Sequence, residues 1–347
     1  MKEFVSFHDI EQFRNAIKAI SMDSQYVGKD EDGNPIYDIT KTKPTLVFHG
    51  TVKLHGTNAG VSFSEKDGMW FQSRKNIISV EKDNAGFAAF AYGASGVFQS
   101  FFDSIFEKEQ LTINDTVTIF GEWAGMGIQK GVGISELEKM FVVFAVKVKP
   151  EDKSTNPYYI SSDYLKCFSS KIYNVEDFKT YDITVDFENP MLAQSKMIKL
   201  VAEVEAECPV AKAFGISGVG EGIVWTSNFN GNKYWFKTKG EKHSTSKVKV
   251  LVPVDVEKLS SINEFIDYAV TENRLNQGIE QVFTTNSLEP DITGMGDFLR
   301  WIMNDINKEE TDVLGENKIT PREVGKKASS RAREWFINLL DKEAGIK

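Results

Sequence analysis

Seven short runs rich in β-branched and aromatic residues constrain the fold of this 347-residue chain more than any other feature. They lie at residues 44–49, 59–63, 69–73, 116–122, 140–148, 221–226 and 233–239. Runs of this length and composition, bounded by turn residues, are typical of strands. Turn-forming stretches at Glu65–Gly68 and Asn228–Asn232 each separate two runs, so we expect two antiparallel hairpins.

Helical periodicity appears at residues 1–25 and 84–105, and again at residues 261–275, 297–307 and 320–342. The last of these begins with Thr320-Pro-Arg-Glu323, which has the pattern of a capping box. Pro253 interrupts the chain between the strand-rich part and the helical part. We therefore predict an α+β fold with one domain over residues 1–250 and an all-helical domain over residues 257–347.

Several classes of protein are disfavoured by composition. No run of about 18 apolar residues is present, so no transmembrane helix is expected. Residues 1–21 lack the continuous apolar core of a signal peptide. Cys167 and Cys208 have neither metal-ligand spacing nor the density of a disulfide scaffold. We expect a cytoplasmic protein, in the host cytoplasm if the protein is viral, with no membrane partner.

The distribution of charge leaves nucleic-acid binding open. The net charge of −9 argues against it, because phosphate binding requires Lys and Arg. Residues 232–250, however, carry six Lys and one Glu, and residues 318–347 carry eight basic and four acidic side chains. An acidic protein with such stretches can bind nucleic acid at a confined place. The alternative for either stretch is a solvated charged face.

Six motifs follow one another along the chain, and their order is more informative than any one of them. They are Lys53-Leu-His55-Gly56-Thr57-Asn58, Arg74, Phe120-Gly-Glu122, Phe141-Val-Val-Phe144, Glu221-Gly-Ile-Val224 and Lys237-Thr-Lys239. Lys53 lies in a turn after a predicted strand. Lys237 and Lys239 alternate along one predicted strand, so their side chains share one face.

This ordered set resembles the covalent nucleotidyltransferases, which include DNA ligases, RNA ligases and mRNA capping enzymes. Lys53–Asn58 and Phe120–Lys130 are most similar to the bacteriophage RNA ligase 2 family, which also includes the trypanosome RNA-editing ligases. The resemblance covers roughly residues 40–245 and, more weakly, the helical C-terminal region. It implies an ATP-grasp-like nucleotidyltransferase domain of antiparallel sheets with flanking helices, followed by a small helical domain.

The resemblance implies an ATP-dependent RNA ligase that joins 3′-hydroxyl and 5′-phosphate ends. Lys53 would attack the α-phosphate of ATP and expel pyrophosphate, leaving AMP covalently on the lysine. The AMP would pass to a 5′-phosphate, which a 3′-hydroxyl then attacks. A lysine with the ordinary pKa of about 10.4 is almost entirely protonated near neutral pH. Like-charge repulsion from Lys237, Lys239 and a bound metal would lower the pKa of Lys53.

The same resemblance assigns the other site residues. Those that would bind the nucleotide are Lys53, His55, Gly56, Arg74, Glu122, Phe144, Glu221, Lys237 and Lys239. Lys237 and Lys239 would also act catalytically on the α-phosphate. Glu122 would hold the ribose, Phe144 would stack on adenine, and Glu221 would hold the ribose or a Mg²⁺ or Mn²⁺ ion. Without the resemblance, the alternative for Phe144 is a core residue. Glu122 and Glu221 would be surface carboxylates, and Lys237 and Lys239 would form a solvated strand face.

Residues that would contact nucleic acid lie in two places. Near the nucleophile they are Thr57, Asn58 and Arg74, again by resemblance. On the C-terminal helix they are Lys326, Lys327 and Arg331, which are spaced to share a face. The alternative for that helix is an amphipathic packing helix with a solvated basic face. The expected partner is RNA, in the form of a duplex with a nick, and the expected state is a monomer.

Four residues depart from the pattern of the phage enzymes. Ala145 replaces an Asp after the stacking Phe. Those enzymes carry a Lys two residues beyond the Glu-Gly-x-Val motif, where Trp225 and Thr226 follow Val224 in this chain. Val52 replaces an acidic residue before the nucleophile. These differences leave the lysyl-AMP chemistry intact but affect the base contacts and the substrate geometry.

Two alternatives to an RNA ligase stay open. One is a DNA ligase or a capping guanylyltransferase, although both usually carry a β-barrel after the catalytic domain. The other is a catalytically silent RNA-binding protein on the same fold.

Overall fold

The computed structural model describes residues 2–243, 262–286, 288–316 and 319–343. They form a mixed α+β fold with antiparallel sheets, which confirms the predicted fold class. The chain divides into two compact units. Unit 1 consists of Met1–Asp9, Thr51–Tyr181 and Ala206–Gly220, and unit 2 of Ile10–Gly50, Asp182–Glu205 and Glu221–Lys347. The domain boundary predicted near residues 250–257 lies outside the described residues, and the predicted division at that point stays a prediction.

The strands are, in chain order, β1 (Glu11–Gln12), β2 (Tyr26–Lys29), β3 (Pro35–Tyr37), β4 (Thr45–Lys53), β5 (Thr57–Ser64), β6 (Gly68–Ser73), β7 (Ile77–Ile78), β8 (Thr116–Ala124), β9 (Met140–Lys149), β10 (Tyr158–Ile160), β11 (Ile172–Asn174), β12 (Tyr181–Asp186), β13 (Gly222–Phe229) and β14 (Asn232–Lys239). The α-helices are α1 (Phe13–Gln25), α2 (Phe87–Gly93), α3 (Ser95–Glu109), α4 (Gln194–Ala206), α5 (Pro209–Ala213), α6 (Ile262–Ala269), α7 (Glu272–Val282), α8 (Met295–Glu309), α9 (Thr311–Glu316) and α10 (Pro321–Glu343). All seven predicted strands are therefore confirmed, with ends that differ by a few residues.

Unit 1 is built on a seven-stranded sheet in the order β10-β9-β8-β5-β6-β7, with β11 added parallel to β9. Helices α2 and α3 supply Phe87, Phe98 and Phe102 to a core that also contains Val61 and Phe141 from the sheet. All five side chains are fully buried. Because burying a large apolar side chain contributes about 1.5–3 kcal/mol, this layer of aromatic residues holds the helices to the sheet.

Unit 2 contains a five-stranded sheet in the order β1-β14-β13-β4-β12. The β13–β14 hairpin turns through Asn230 and Gly231, with φ values of 48° and 76°. Positive φ at both central residues is typical of a type I′ turn, which Asn-Gly favours. Helix α1 packs against β14, where the rings of Phe13 and Phe236 lie 4.8 Å apart. The predicted hairpin at Asn228–Asn232 is confirmed.

The helices of unit 2 from α6 to α10 share an apolar core of their own. Its fully buried members include Phe265, Phe298, Ile302 and Phe336. The predicted helix over residues 261–275 is interrupted, because Thr271 caps the start of α7 and accepts a hydrogen bond from the Arg274 backbone N–H at 3.2 Å. Within the described ranges, no helix is long and apolar enough to cross a membrane.

The predicted helix over residues 1–25 is wrong in its first half, because α1 begins only at Phe13. Residues before it use their backbone groups in contacts with β6. The Glu3 carbonyl accepts from Trp70 Nε1 at 3.1 Å, and the Val5 carbonyl accepts from Gln72 Nε2 at 2.6 Å. These distant contacts outcompete a local helix. The predicted helix over residues 84–105 is two helices, with the break at Ala94.

The predicted capping box at the start of α10 is present. The Thr320 backbone N–H donates to Glu323 Oε2 at 2.7 Å, and the Glu323 N–H donates to Thr320 Oγ1 at 3.4 Å. We expect Thr320→Ala to lower the free energy of unfolding by about 0.5–2 kcal/mol, because α10 loses its N-cap. Urea denaturation measures this, with the exposed helix-interior variant Ser330→Ala as the control. Equal stability of the two variants would show that the cap contributes nothing.

Candidate active site

Lys53 is the last residue of β4, and the loop Leu54–Gly56 connects it to β5. Both backbone polar groups of Gly56 hold this loop in place. The Gly56 N–H donates to Glu122 Oε1 at 2.9 Å, and the Gly56 carbonyl accepts from Gln129 Nε2 at 3.2 Å. A Cβ at Gly56 would collide with the backbone oxygen of Trp123, so this close approach requires glycine. The structure thus brings Glu122 to the loop that follows Lys53.

Two predicted site residues are cross-strand neighbours. Asn58 on β5 lies directly opposite Glu122 on β8 in the antiparallel register, so their side chains share one face of the sheet. Thr57 accepts a hydrogen bond from Asn84 Nδ2 at 3.3 Å. His55, Thr57 and Asn58 are all partly exposed. Glu122, which is predicted to bind the nucleotide, and Asn58, which is predicted to contact nucleic acid, are therefore neighbours in unit 1.

Phe144 lies at an irregularity in the β8–β9 pairing. Phe120 pairs with Ala145 and Gly121 pairs with Val143, so Phe144 is an extra residue on β9. Such bulges redirect a side chain, and Phe144 is partly exposed between buried neighbours. Its ring contacts that of Phe7 edge-on, with centroids 5.1 Å apart. The predicted stacking of Phe144 on adenine stays a prediction.

Arg74 follows β6 and forms an ion pair with Asp9, the last residue of the N-terminal segment of unit 1. Both side chains are about half exposed, so the pair is screened by solvent and contributes little to stability. An arginine in such a pair can exchange its partner for a phosphate, because the guanidinium fork matches both groups.

In unit 2, Lys237 and Lys239 share a face of β14, as predicted, and flank the buried Thr238. Lys239 Nζ lies 3.0 Å from Glu221 Oε1, and the Glu221 side chain is almost fully buried. Burial opposes the charge on Lys239, but Glu221, with Glu309 and Asp305 beyond it, raises its pKa. The structure thus places two predicted site residues, Glu221 and Lys239, in one ion pair.

Lys237 has a carboxylate partner that the sequence did not predict. Its Nζ lies 2.9 Å from Glu309 Oε1, and Glu309 is the last residue of α8. The other Glu309 oxygen accepts from Gln12 Nε2 at 2.7 Å. Gln12 lies opposite Lys237 in the parallel pairing of β1 with β14. Nothing in the local sequence around Glu309 marks it as a partner of Lys237.

Metal binding by this chain would rely on few side chains. Across the described ranges, no group of three or more His, Cys, Asp and Glu side chains is arranged to hold a metal ion. Glu221 is a hard oxygen donor, which suits Mg²⁺, and Mg²⁺ commonly needs only one or two carboxylates when phosphates supply further oxygens. The chemistry of Glu221 therefore fits the predicted ion.

The basic residues predicted to contact nucleic acid lie on the exposed face of α10. Lys327 Nζ donates to Asn263 Oδ1 at 2.8 Å, and Arg331 forms an ion pair with Asp267, both on α6. Lys326 is exposed. Val324 and Ala328 are buried in the helical core. The contacts with α6 agree with the alternative of a packing helix, and a role in nucleic-acid binding stays a prediction.

A comparison with protein families decides the relationship. The model of the family described as RNA ligase matches residues 47–239, which is more than half of the chain. This chain belongs to the RNA ligase family. The resemblance seen in the six motifs is confirmed at that level. The match begins just before Lys53 and ends at Lys239, so it contains both clusters of site residues.

Solved RNA ligase structures are also similar to this chain. Three are of Naegleria gruberi RNA ligase: a variant with AMP and Mn, the enzyme with pyrophosphate, and a variant with ATP and Mn. Each is 15% identical to this chain, with a TM-score of 0.41, and the match covers 69% of this chain and 57% of the other. The chain thus spans a little over half the length of these structures. No curated protein matches this chain.

Two of the residues in the departures from the phage RNA ligases, Trp225 and Ala145, lie in buried surroundings. The Trp225 side chain is fully buried in unit 2, and its Nε1 donates to Thr238 Oγ1 at 2.9 Å. A Cβ at Gly50 would lie 2.5 Å from the Trp225 ring, so the two residues fit each other. Ala145 is also buried, where an Asp would need a partner.

Proposed function

We propose that this protein is an ATP-dependent RNA ligase that joins 3′-hydroxyl and 5′-phosphate ends through an AMP–lysine intermediate on Lys53. The observation that carries the proposal is the family match over residues 47–239, which contains Lys53, Glu122, Glu221 and the Lys237/Lys239 pair. The fixed loop after Lys53 supports it, because a nucleophile must be held in place to attack efficiently.

The first step forms one bond and breaks another at the α-phosphorus of ATP. The neutral Lys53 amine attacks, a phosphorus–nitrogen bond forms, and pyrophosphate leaves with the electron pair of the broken phosphorus–oxygen bond. The attack leaves a positive charge on the Lys53 nitrogen, which then releases one proton to solvent. Lys237 and Lys239 stabilise the charge that develops on the phosphate oxygens. Magnesium or manganese, when bound with Glu221 as one ligand, neutralises further phosphate charge.

Unit 1 residues bind the nucleoside in this proposal. Glu122 accepts a hydrogen bond from the Gly56 N–H beside Lys53, and we assign its carboxylate to a ribose hydroxyl. Phe144 on its bulge supplies a flat apolar surface for adenine. His55 and Gly56 line the phosphates. Arg74 contacts the ribose or a nucleic-acid phosphate.

The later steps use RNA. A 5′-phosphate oxygen attacks the Lys53-bound AMP, the phosphorus–nitrogen bond breaks, and the lysine amine recovers its electron pair. A 3′-hydroxyl then attacks the activated 5′-phosphate, and AMP leaves. Thr57 and Asn58 hold the strand that supplies the hydroxyl, and Lys326, Lys327 and Arg331 contact phosphates of a duplex with a nick. A duplex can be recognised by A-form shape and 2′-hydroxyls.

A set of matched nicked substrates tests the proposal. The 5′-phosphate at the nick carries the label, and joining makes that label resistant to phosphatase. We expect ATP and Mg²⁺ to support joining of nicked duplex RNA, with no joining by Lys53→Ala. Joining of nicked DNA but not of nicked RNA would identify a DNA ligase instead. Use of GTP in place of ATP would point to a capping-type enzyme.

A further inference from the structure

Glu309 is a side chain of unit 2 that contacts Lys237 but has no place in the proposed chemistry. Its two carboxylate oxygens take two different donors, Lys237 Nζ at 2.9 Å and Gln12 Nε2 at 2.7 Å. The Glu309 and Lys237 side chains are only 12% and 18% exposed, so solvent screens their interaction weakly. A partly buried, well-oriented ion pair of this kind fixes the position of a flexible lysine.

The backbone of Glu309 is anchored independently of Lys237. Its carbonyl accepts a hydrogen bond from Arg14 Nη2 at 2.5 Å. The next residue, Glu310, is fully buried, and its carboxylate accepts from Arg14, Tyr268 and Arg274 at 2.7–3.0 Å. This network anchors the end of α8 and the residue that follows it. The Glu309 carboxylate would therefore keep its place if Lys237 moved away.

Glu309 also stays ionised in this environment. Burial opposes its charge, but Lys237 and Gln12, with a smaller contribution from Lys239, lower its pKa. A fixed, charged carboxylate beside Lys237 has two possible effects on a phosphate ligand. In the first case, the carboxylate competes with the phosphate for the Lys237 ammonium group. In the second, it holds that ammonium group in an orientation that lets it contact the phosphate. The anchoring by Gln12 and Arg14 favours the second effect, because a competing group would need to move aside.

We propose that Glu309 is a positioning residue for Lys237: it fixes the ammonium group that the proposed function places on the α-phosphate. The inference rests on that proposed function. It assigns to the end of α8 a part in the transfer of AMP to Lys53, separate from any contact with RNA. Lys237 and Glu309 are 72 residues apart in the chain, so the catalytic strand depends on a distant helix.

Single-turnover labelling of the full chain with ATP labelled at the α-phosphate tests this role. We expect Glu309→Gln to lower the rate constant for covalent AMP formation about 10- to 100-fold, as is typical when a supporting hydrogen-bond partner is removed. The half-saturating ATP concentration should change much less, because positioning acts on the transition state. The control is Asp297→Asn, which breaks an exposed ion pair with Arg300 on the same helix and should leave the rate unchanged.

A double-mutant cycle separates positioning from a general structural effect. Loss of Lys237 should slow the reaction about 100- to 1,000-fold, which a single-turnover experiment follows over hours. In the Lys237→Ala background, Glu309→Gln should have no further effect, because Glu309 acts through Lys237. Gln12→Ala, which frees the carboxylate without removing it, should slow the reaction less than Glu309→Gln and should also have no effect in that background.

The other outcomes of these rate measurements would overturn either the inference about Glu309 or the proposed function. A Glu309→Gln rate equal to or above that of the wild type would overturn the inference, and a higher rate would identify Glu309 as a competitor of the phosphate. Equal slowing in both backgrounds would also overturn it, since Glu309 would then act without Lys237. If Glu309→Gln unfolds, the Gln12→Ala pair of measurements decides. Absence of label on the wild type would instead refute the proposed function, and the inference with it.

Discussion

An Arg274→Ala variant should be less stable than the wild type by about 3–5 kcal/mol, because it removes a buried cation from the carboxylates of Glu310 and Asp305. Arg274 is fully buried in unit 2, as is Glu310. Its Nε donates to Asp305 Oδ2 at 2.8 Å, and its Nη2 donates to Glu310 Oε1 at 3.0 Å. Its Nη1 donates to the Ala269 carbonyl.

The size of this effect follows from where Arg274 lies. Its guanidinium connects α7 to the end of α6, to Asp305 on α8 and to Glu310 just after α8, so a single side chain links three helices. Burial opposes its charge, but Asp305 and Glu310 outweigh that and raise its pKa, so it stays charged. Removing a charged group from such a network destabilises far more than removing one from a surface pair.

Denaturant unfolding with a helix-sensitive signal measures the difference. Arg300→Ala is the matched control, because Arg300 pairs with Asp297 on α8 while both side chains are largely exposed. We expect Arg300→Ala to lie within about 1 kcal/mol of the wild type. If Arg274→Ala were as stable as the control, the buried network would not be what holds the helices together.

The fold was predictable where the signals are local. Each predicted strand has a composition typical of strands over five to nine residues, and the turn at Asn230 and Gly231 has the residues that its φ values require. The capping box at Thr320 joins residues three positions apart. The first half of the predicted N-terminal helix is wrong because Glu3 and Val5 bond to side chains 67 residues away, and no local pattern encodes that contact.

The contacts among the candidate site residues were predictable only in part, for the same reason. Glu122, Glu221 and Lys239 lie in motifs whose order along the chain is informative, and Lys237 and Lys239 share a face by strand geometry alone. Glu309 was not predictable, because its contact with Gln12 joins residues 297 positions apart. Gln129 was also missed, although it lies in the run that carries Glu122 and is buried against Gly56.

The structure gives the two lysines of β14 partners that the sequence did not predict. Each has a carboxylate partner, Glu309 for Lys237 and Glu221 for Lys239. The predicted repulsion of Lys53 by these two lysines stays a prediction.

The second large effect is at Lys53. A Lys53→Ala protein should form no covalent AMP, because no other group replaces the attacking amine. Lys53→Arg is the sharper variant: it keeps the positive charge and the length of the side chain, but an arginine does not deprotonate in proteins and cannot act as the nucleophile. Denaturant unfolding of both variants shows whether a loss of label comes from the missing amine or from a loss of fold.

The most direct test of the account is covalent labelling of the full-length protein by ATP carrying the label on its α-phosphate, with Mg²⁺ present and bound AMP first removed by pyrophosphate. After denaturation, peptide mapping locates the label. The account predicts label on the wild type, attached to Lys53, and none on Lys53→Ala or Lys53→Arg. Label on Lys53→Arg, or on a residue other than Lys53, would contradict the assignment of the nucleophile. A wild-type protein that takes no label from ATP would contradict the proposed function itself.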